Sequence, residues 1–226
     1  MSHQTGILLI NLGTPKSPST KHVRQYLTEF LNDPRVIDIN PVGRFFLVNG
    51  LIVPFRAPKS AKIYKKLWTA EGSPLLVYGE KVKALLQKSL SSEYHVELAM
   101  RYQQPSLDIV LERMRKKNFK KIIVLPLFPQ YASSSTGSAV EKVMKIMKKW
   151  WVIPEVKFIS QFYDHPLFAK TFAENSKKYF PEKYDHVLFS FHGLPVRQLD
   201  KVYGDEKPCS DHNCEKEVNE TNKYCY

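Results

Sequence analysis

Short apolar runs alternate with amphipathic stretches along this chain, and the two periods predict its elements. Near-continuous apolar runs, rich in β-branched residues, occur as "ILLINL" at 7–12, "HVELAM" at 95–100, "KIIVLPLF" at 121–128, "EVKFIS" at 155–160 and "HVLFSF" at 186–191. Runs of this length and continuity predict strands buried on both faces, as in a parallel sheet. Between them Val23, Tyr26, Leu27, Phe30 and Leu31 recur at helical spacing, as do Leu107, Val110, Leu111 and Met114 after Pro105-Ser106. Strand and helix alternate, so the expected fold class is α/β, with a parallel sheet flanked by helices. The long interval between the first two strands carries three more helical patterns, "VGRFFLVNGLIV", "PKSAKIYKKLW" and "LLVYGEKVKALLQKSL". They predict a helical insertion at about 41–91.

The pattern also echoes itself. "LLINLGTP" at 8–15 aligns without gaps to "LFSFHGLP" at 188–195. Four strands precede the second copy, so a similar α/β half is expected to begin there. This predicts a first domain over 1–163 and the start of a second over 164–226. On that reading the chain stops after one strand of the second half, which makes it an N-terminal fragment, with Leu12 and His192 at equivalent strand tips.

Composition narrows the class. At 226 residues, 43% hydrophobic and 12% aromatic, the chain can bury one large core or two modest ones. The N-terminus has neither a charged leader nor a cleavage site, and no apolar run reaches the ~18 residues of a membrane span. A cytoplasmic protein is expected. The net charge of +12 fits an acidic small molecule or an anionic membrane surface. No nucleic-acid motif accompanies it. Its lysines and arginines crowd the ends of two helical patterns, where they complement helix dipoles.

Ligands of open parallel sheets bind at the carboxyl ends of strands. Four such ends carry polar or conformationally special residues: Leu12-Gly13-Thr14-Pro15, Arg101-Tyr102, Pro129-Gln130-Tyr131 with Ser133 to Gly137, and His192-Gly193. An imidazole at a strand tip can accept a proton or ligate a metal. The run "SSSTGS" before a helix reads either as an anion cradle or as an N-cap.

Taken together, "NLGTP", "FRAPKSAKIYKKLWTAEGSPL", "MRYQQPSLDIVLERM", "PLFPQYASSSTGSAVEKV" and "LFSFHGLP" resemble ferrochelatases in order and spacing, over essentially the whole chain. The resemblance implies a chelatase-like (flavodoxin- or Rossmann-like) half and the start of another. It implies an enzyme, a lyase of haem and porphyrin biosynthesis that inserts ferrous iron, its substrate, into protoporphyrin IX or coproporphyrin III. His192 resembles the family's catalytic histidine, which accepts pyrrole protons and meets the metal. Leu12, Arg56, Tyr64, Ser73, Arg101, Tyr102 and Tyr131 resemble its substrate-binding residues, with Arg56 and Arg101 suited to the propionates. Leu12 stands where relatives carry methionine, tyrosine or another large residue, and Gly193 replaces a common serine. The family's catalytic glutamate belongs to a motif this sequence does not contain, which puts the activity of the chain alone in doubt.

Two further expectations concern surroundings. The apolar "FFLVNGLIV" segment beside basic helices predicts a lip at the pocket and a peripheral membrane contact. Cys209, Cys214 and Cys225 lie close together, and some ferrochelatases hold a [2Fe-2S] cluster on four cysteines. Three are present, so the cluster would need a fourth beyond Tyr226; isolated free thiols are the plainer reading. Two rivals share these residues: another tetrapyrrole metal chelatase, and a non-catalytic porphyrin-binding protein.

Overall fold

The computed structural model describes residues 4–205, 207–212, 216 and 222. By its contacts the chain divides into two compact units, Met1–Leu127 with Ser133–Ile159, and Phe128–Ala132 with Ser160–Tyr226.

The first unit is built on four parallel strands: β1 (Thr5–Gly13), β2 (Tyr94–Tyr102), β3 (Lys121–Pro126) and β4 (Glu155–Phe158), in the order β2-β1-β3-β4. β1 lies inside the sheet, which is why Leu8, Leu9 and Ile10 are wholly buried. At the edge, β4 alternates exposed and half-buried positions. The expected sheet over the first four apolar runs is therefore present.

Six helices cover or extend this sheet: α1 (Thr20–Leu31), α2 (Pro41–Phe46), α3 (Val53–Leu67), α4 (Pro74–Ser89), α5 (Leu107–Lys116) and α6 (Ser138–Met147). Ser19 and Ser106 cap α1 and α5 by accepting a bond from the third residue on. Against one face, α1 and α3 pack through Val23, Tyr26, Leu27, Val53, Ala57 and Ala61, and Tyr102 joins this cluster from β2. α4 covers another part of β2, and Gly79 makes this contact tolerable, since a Cβ there would come within 2.9 Å of the Leu98 side chain. Between α2 and α3 lies a π-helical turn, Leu47–Ile52. Pro54, which follows, has no N–H to continue the α-helical ladder, so the hydrogen-bond register shifts there. The segment read as one helical pattern is thus three.

The second unit contains α7 (Pro166–Lys177) and α8 (Val196–Leu199) with short 3₁₀ turns at Pro181–Lys183, Asp200–Val202 and Cys209–His212. Its aromatics make local contacts: Phe162 meets Phe168 edge-on at 5.7 Å, and Tyr203 stacks on His212 at 3.7 Å. The expected strand over 186–191 is absent. Residues 186–195 carry no regular secondary structure, and Leu188, Phe189 and Phe191 are exposed. An apolar strand persists only where neighbours pair its backbone and cover its side chains, and among the described residues none does.

Candidate functional site

The carboxyl ends of β1 and β2 are drawn together at one point. Gly13, at φ +121°, pairs with Tyr102, and a Cβ on it would lie 2.1 Å from the Tyr102 carbonyl oxygen. Only glycine permits that approach. Immediately before it, Leu12 is half-buried against the cluster that includes Tyr102, and its N–H donates to Asn11 Oδ1 at 2.8 Å. Immediately after it, Thr14 Oγ1 and Ser73 Oγ are 2.8 Å apart and both residues are buried, which ties the β1 turn to the start of α4.

Tyr64 and Arg56 lie on α3. Tyr64 packs against the same cluster, meets the Tyr26 ring edge-on at 6.3 Å, and has its hydroxyl pKa raised by burial, an effect partly offset by Tyr26 and by the charge of Arg56. Arg56 itself is exposed and has no hydrogen-bond or ion-pair partner among the described residues. Leu12, Tyr64 and Tyr102 are therefore gathered around one core, with Ser73 tied to it through Thr14.

Arg101 and Tyr102 point inward instead, onto a residue that the sequence did not single out. Asp33, after the end of α1, is buried. Its Oδ2 accepts from Arg101 Nη2 at 2.5 Å, from the Tyr102 hydroxyl at 2.9 Å and from Ser138 Oγ at 2.5 Å. Its Oδ1 accepts the Arg35 backbone N–H at 2.8 Å. Arg101 Nε also donates to Ser138 Oγ at 2.7 Å and to the Ser138 carbonyl at 3.1 Å, and its guanidinium lies 4.5 Å from the Tyr102 ring centre. Burial raises the Tyr102 pKa, and the neighbouring Asp33 charge adds to that. The signal for Asp33 in the sequence was only "NDP", which reads equally well as a turn after a helix.

The Ser/Thr-rich run is itself helical. Ser133–Gly137 forms a π-helical turn continuous with α6, so the first amides of α6 do not form a free helix start. Arg35 braces this turn, with Nη1 donating to Ser133 Oγ at 2.8 Å and Nε paired with Glu141. Glu141 also pairs with Lys145, and these two cations hold its carboxyl below the usual range.

Tyr131 and His192 belong to the second unit. Tyr131 is half-buried. His192 is exposed, with Nδ1 at 2.6 Å from the Gly193 carbonyl oxygen. A carbonyl can only accept, so Nδ1 donates in this contact. Of the three cysteines, Cys209 opens the 3₁₀ turn Cys209–His212, while Cys214 and Cys225 lie outside the described residues. Among the described residues no three His, Cys, Asp or Glu side chains converge as a metal would require, and no helix is long and apolar enough to cross a membrane.

Comparison with known proteins adds to this geometry. The family model described as ferrochelatase matches residues 4–225. The chain is 44% identical over 196 residues to a ferrochelatase of Legionella pneumophila (strain Paris), covering 87% of this chain and 58% of that protein. It is 39% identical over 229 residues to a ferrochelatase of Coxiella burnetii (strain Dugway 5J108-111), covering all of this chain and 63% of that one. The chain thus spans about three fifths of the length of these relatives. A match running from the first strand through the segment around His192, carried by relatives at this identity, establishes that the chain belongs to the ferrochelatase family.

Proposed function

We propose that the protein inserts ferrous iron into a porphyrin, protoporphyrin IX or coproporphyrin III. The observation that carries this reading is the family match over residues 4–225, which includes every motif discussed above. The reaction releases two pyrrole protons as Fe²⁺ enters the ring, so the site needs a base. His192 supplies it, since a neutral imidazole is a competent proton acceptor. Leu12 and Tyr64 offer apolar and aromatic surface to the macrocycle, and binding energy gained at its periphery can hold the ring bent toward metal entry. Arg56, exposed on α3, binds a propionate. Ser73 acts through Thr14 by fixing the turn after Leu12.

Val42, Phe45, Phe46, Leu51 and Phe55 expose a run of apolar side chains on α2, the π-turn and α3. With the lysines of α3 nearby, this lip suits a poorly soluble substrate and a peripheral contact with an anionic membrane. The test is anaerobic loss of porphyrin fluorescence with ferrous iron, using the full-length protein. Iron-dependent loss with either porphyrin is expected. Porphyrin binding without turnover would favour a carrier. Insertion of cobalt or nickel, but not iron, would favour another tetrapyrrole chelatase.

A further inference from the structure

Arg101 and Arg56 both occupy positions suited to a substrate carboxylate, yet their surroundings differ. Arg56 is exposed and makes no hydrogen bond or ion pair among the described residues. Arg101 is only 15% exposed at its side chain and is engaged by Asp33 and Ser138 at 2.5–3.1 Å. Asp33 holds four donors, three of them on one oxygen. With Nε and Nη2 engaged and the guanidinium charge already met by Asp33, a substrate carboxylate could take the engaged edge of Arg101 only by displacing Asp33, which would leave a buried anion without its cation. That outcome is costly in any sheltered site.

We propose that Asp33 is a positioning residue that withdraws Arg101 from substrate recognition, locking Arg101 and Tyr102 beneath the β1–β2 strand ends and leaving Arg56 to meet the substrate's carboxylate. Asp33 neutralises one of the two arginines, and anion selection passes to the other. The backbone of Tyr102 pairs with Gly13, and Leu12 packs against the cluster to which Tyr102 belongs.

The experiment has two arms, both on the full-length protein. In the first, melting temperatures are compared for Arg101→Leu, Asp33→Asn and the double variant. Removing one partner of a buried pair costs more than removing both. Arg101→Leu is therefore expected to lower Tm by roughly 10 °C, with the double variant recovering more than half of the loss. Strictly additive losses would overturn the pairing. In the second arm, binding of a dicarboxylic porphyrin is compared with that of its dimethyl ester by fluorescence titration. The acid-to-ester preference should fall about tenfold in Arg56→Ala, a factor equivalent to one charge-assisted bond. It should survive in Arg101→Lys, which keeps the charge on Asp33, and rise in Asp33→Asn, which frees the Arg101 charge while preserving its shape. A purely structural Asp33 would not raise that preference. Collapse of the preference in Arg101→Lys with retention in Arg56→Ala would overturn the assignment. This arm rests on the porphyrin reading. A wild-type protein that binds no porphyrin would defeat that reading, and the melting arm would still decide the Asp33 pairing.

Discussion

The segments 8–13 and 188–193 align without gaps, each an apolar run leading to a glycine turn, yet the first lies in the most buried strand among the described residues and the second in no strand at all. In β1, Leu8, Leu9 and Ile10 are flanked by β2 and β3, whose backbones pair with theirs on both sides. In 186–191, Leu188 is 91% exposed. The contrast shows that strand propensity is largely a fit to neighbours. Local pattern selects the segments able to become strands, and only partners make them so.

The most severe way to break the ordered side of the comparison is at the turn that closes β1. Gly13→Val adds a side chain where a Cβ would lie 2.1 Å from the Tyr102 carbonyl oxygen, at a positive φ. Loss of about 3 kcal/mol or more is expected, read as failure to fold or a steep fall in denaturation midpoint. Next, Leu9→Ala empties a fully buried site and should cost about 2–5 kcal/mol. Chemical denaturation would give the value, and a cost near zero would mean that the sheet core is wrongly described.

Protonation probes the same unit more gently. Tyr26, Tyr64 and Tyr102 have pKa values raised by burial above the ordinary 10.0. The folded state therefore retains protons that the unfolded state releases above pH 10, and stability should fall as pH rises beyond that value. Absorbance at 295 nm during alkaline titration should show these tyrosines ionising together with unfolding. Glu141 behaves oppositely. Its pKa is lowered from 4.5 by Lys145 and Arg35, so its contribution is present above pH 4.5 and lost as pH falls below. Glu141→Gln should flatten that acidic decline. The smallest effect is expected on the exposed segment, where Leu188→Ser should change stability by no more than about 0.5 kcal/mol. A large loss there would show that the segment is covered in the protein tested.

Much of the fold was legible because it is written locally. Near-continuous apolar runs marked β1 to β4, and period-3.6 patterns marked α1 and α5, the latter after Pro105-Ser106. Two features were not. The π-turn at Leu47–Ile52 depends on a missing N–H at Pro54, whose effect on hydrogen-bond register leaves the apolar pattern unchanged. Asp33 depends on partners 68, 69 and 105 residues away, and no local pattern announces a buried carboxylate. The same remoteness explains Arg101 and Tyr102. A strand end identified them as residues near a pocket, but the direction of their side chains was decided by Asp33 and Ser138.

The role proposed for His192 as acceptor of the pyrrole protons stands or falls on separating binding from turnover. His192→Ala in the full-length protein, assayed anaerobically with saturating porphyrin and ferrous iron, should bind porphyrin within about threefold of wild type while turnover falls by at least about 100-fold, the usual worth of a general base. Near-normal turnover in that variant, or equal loss of binding and turnover, would contradict the role assigned to His192.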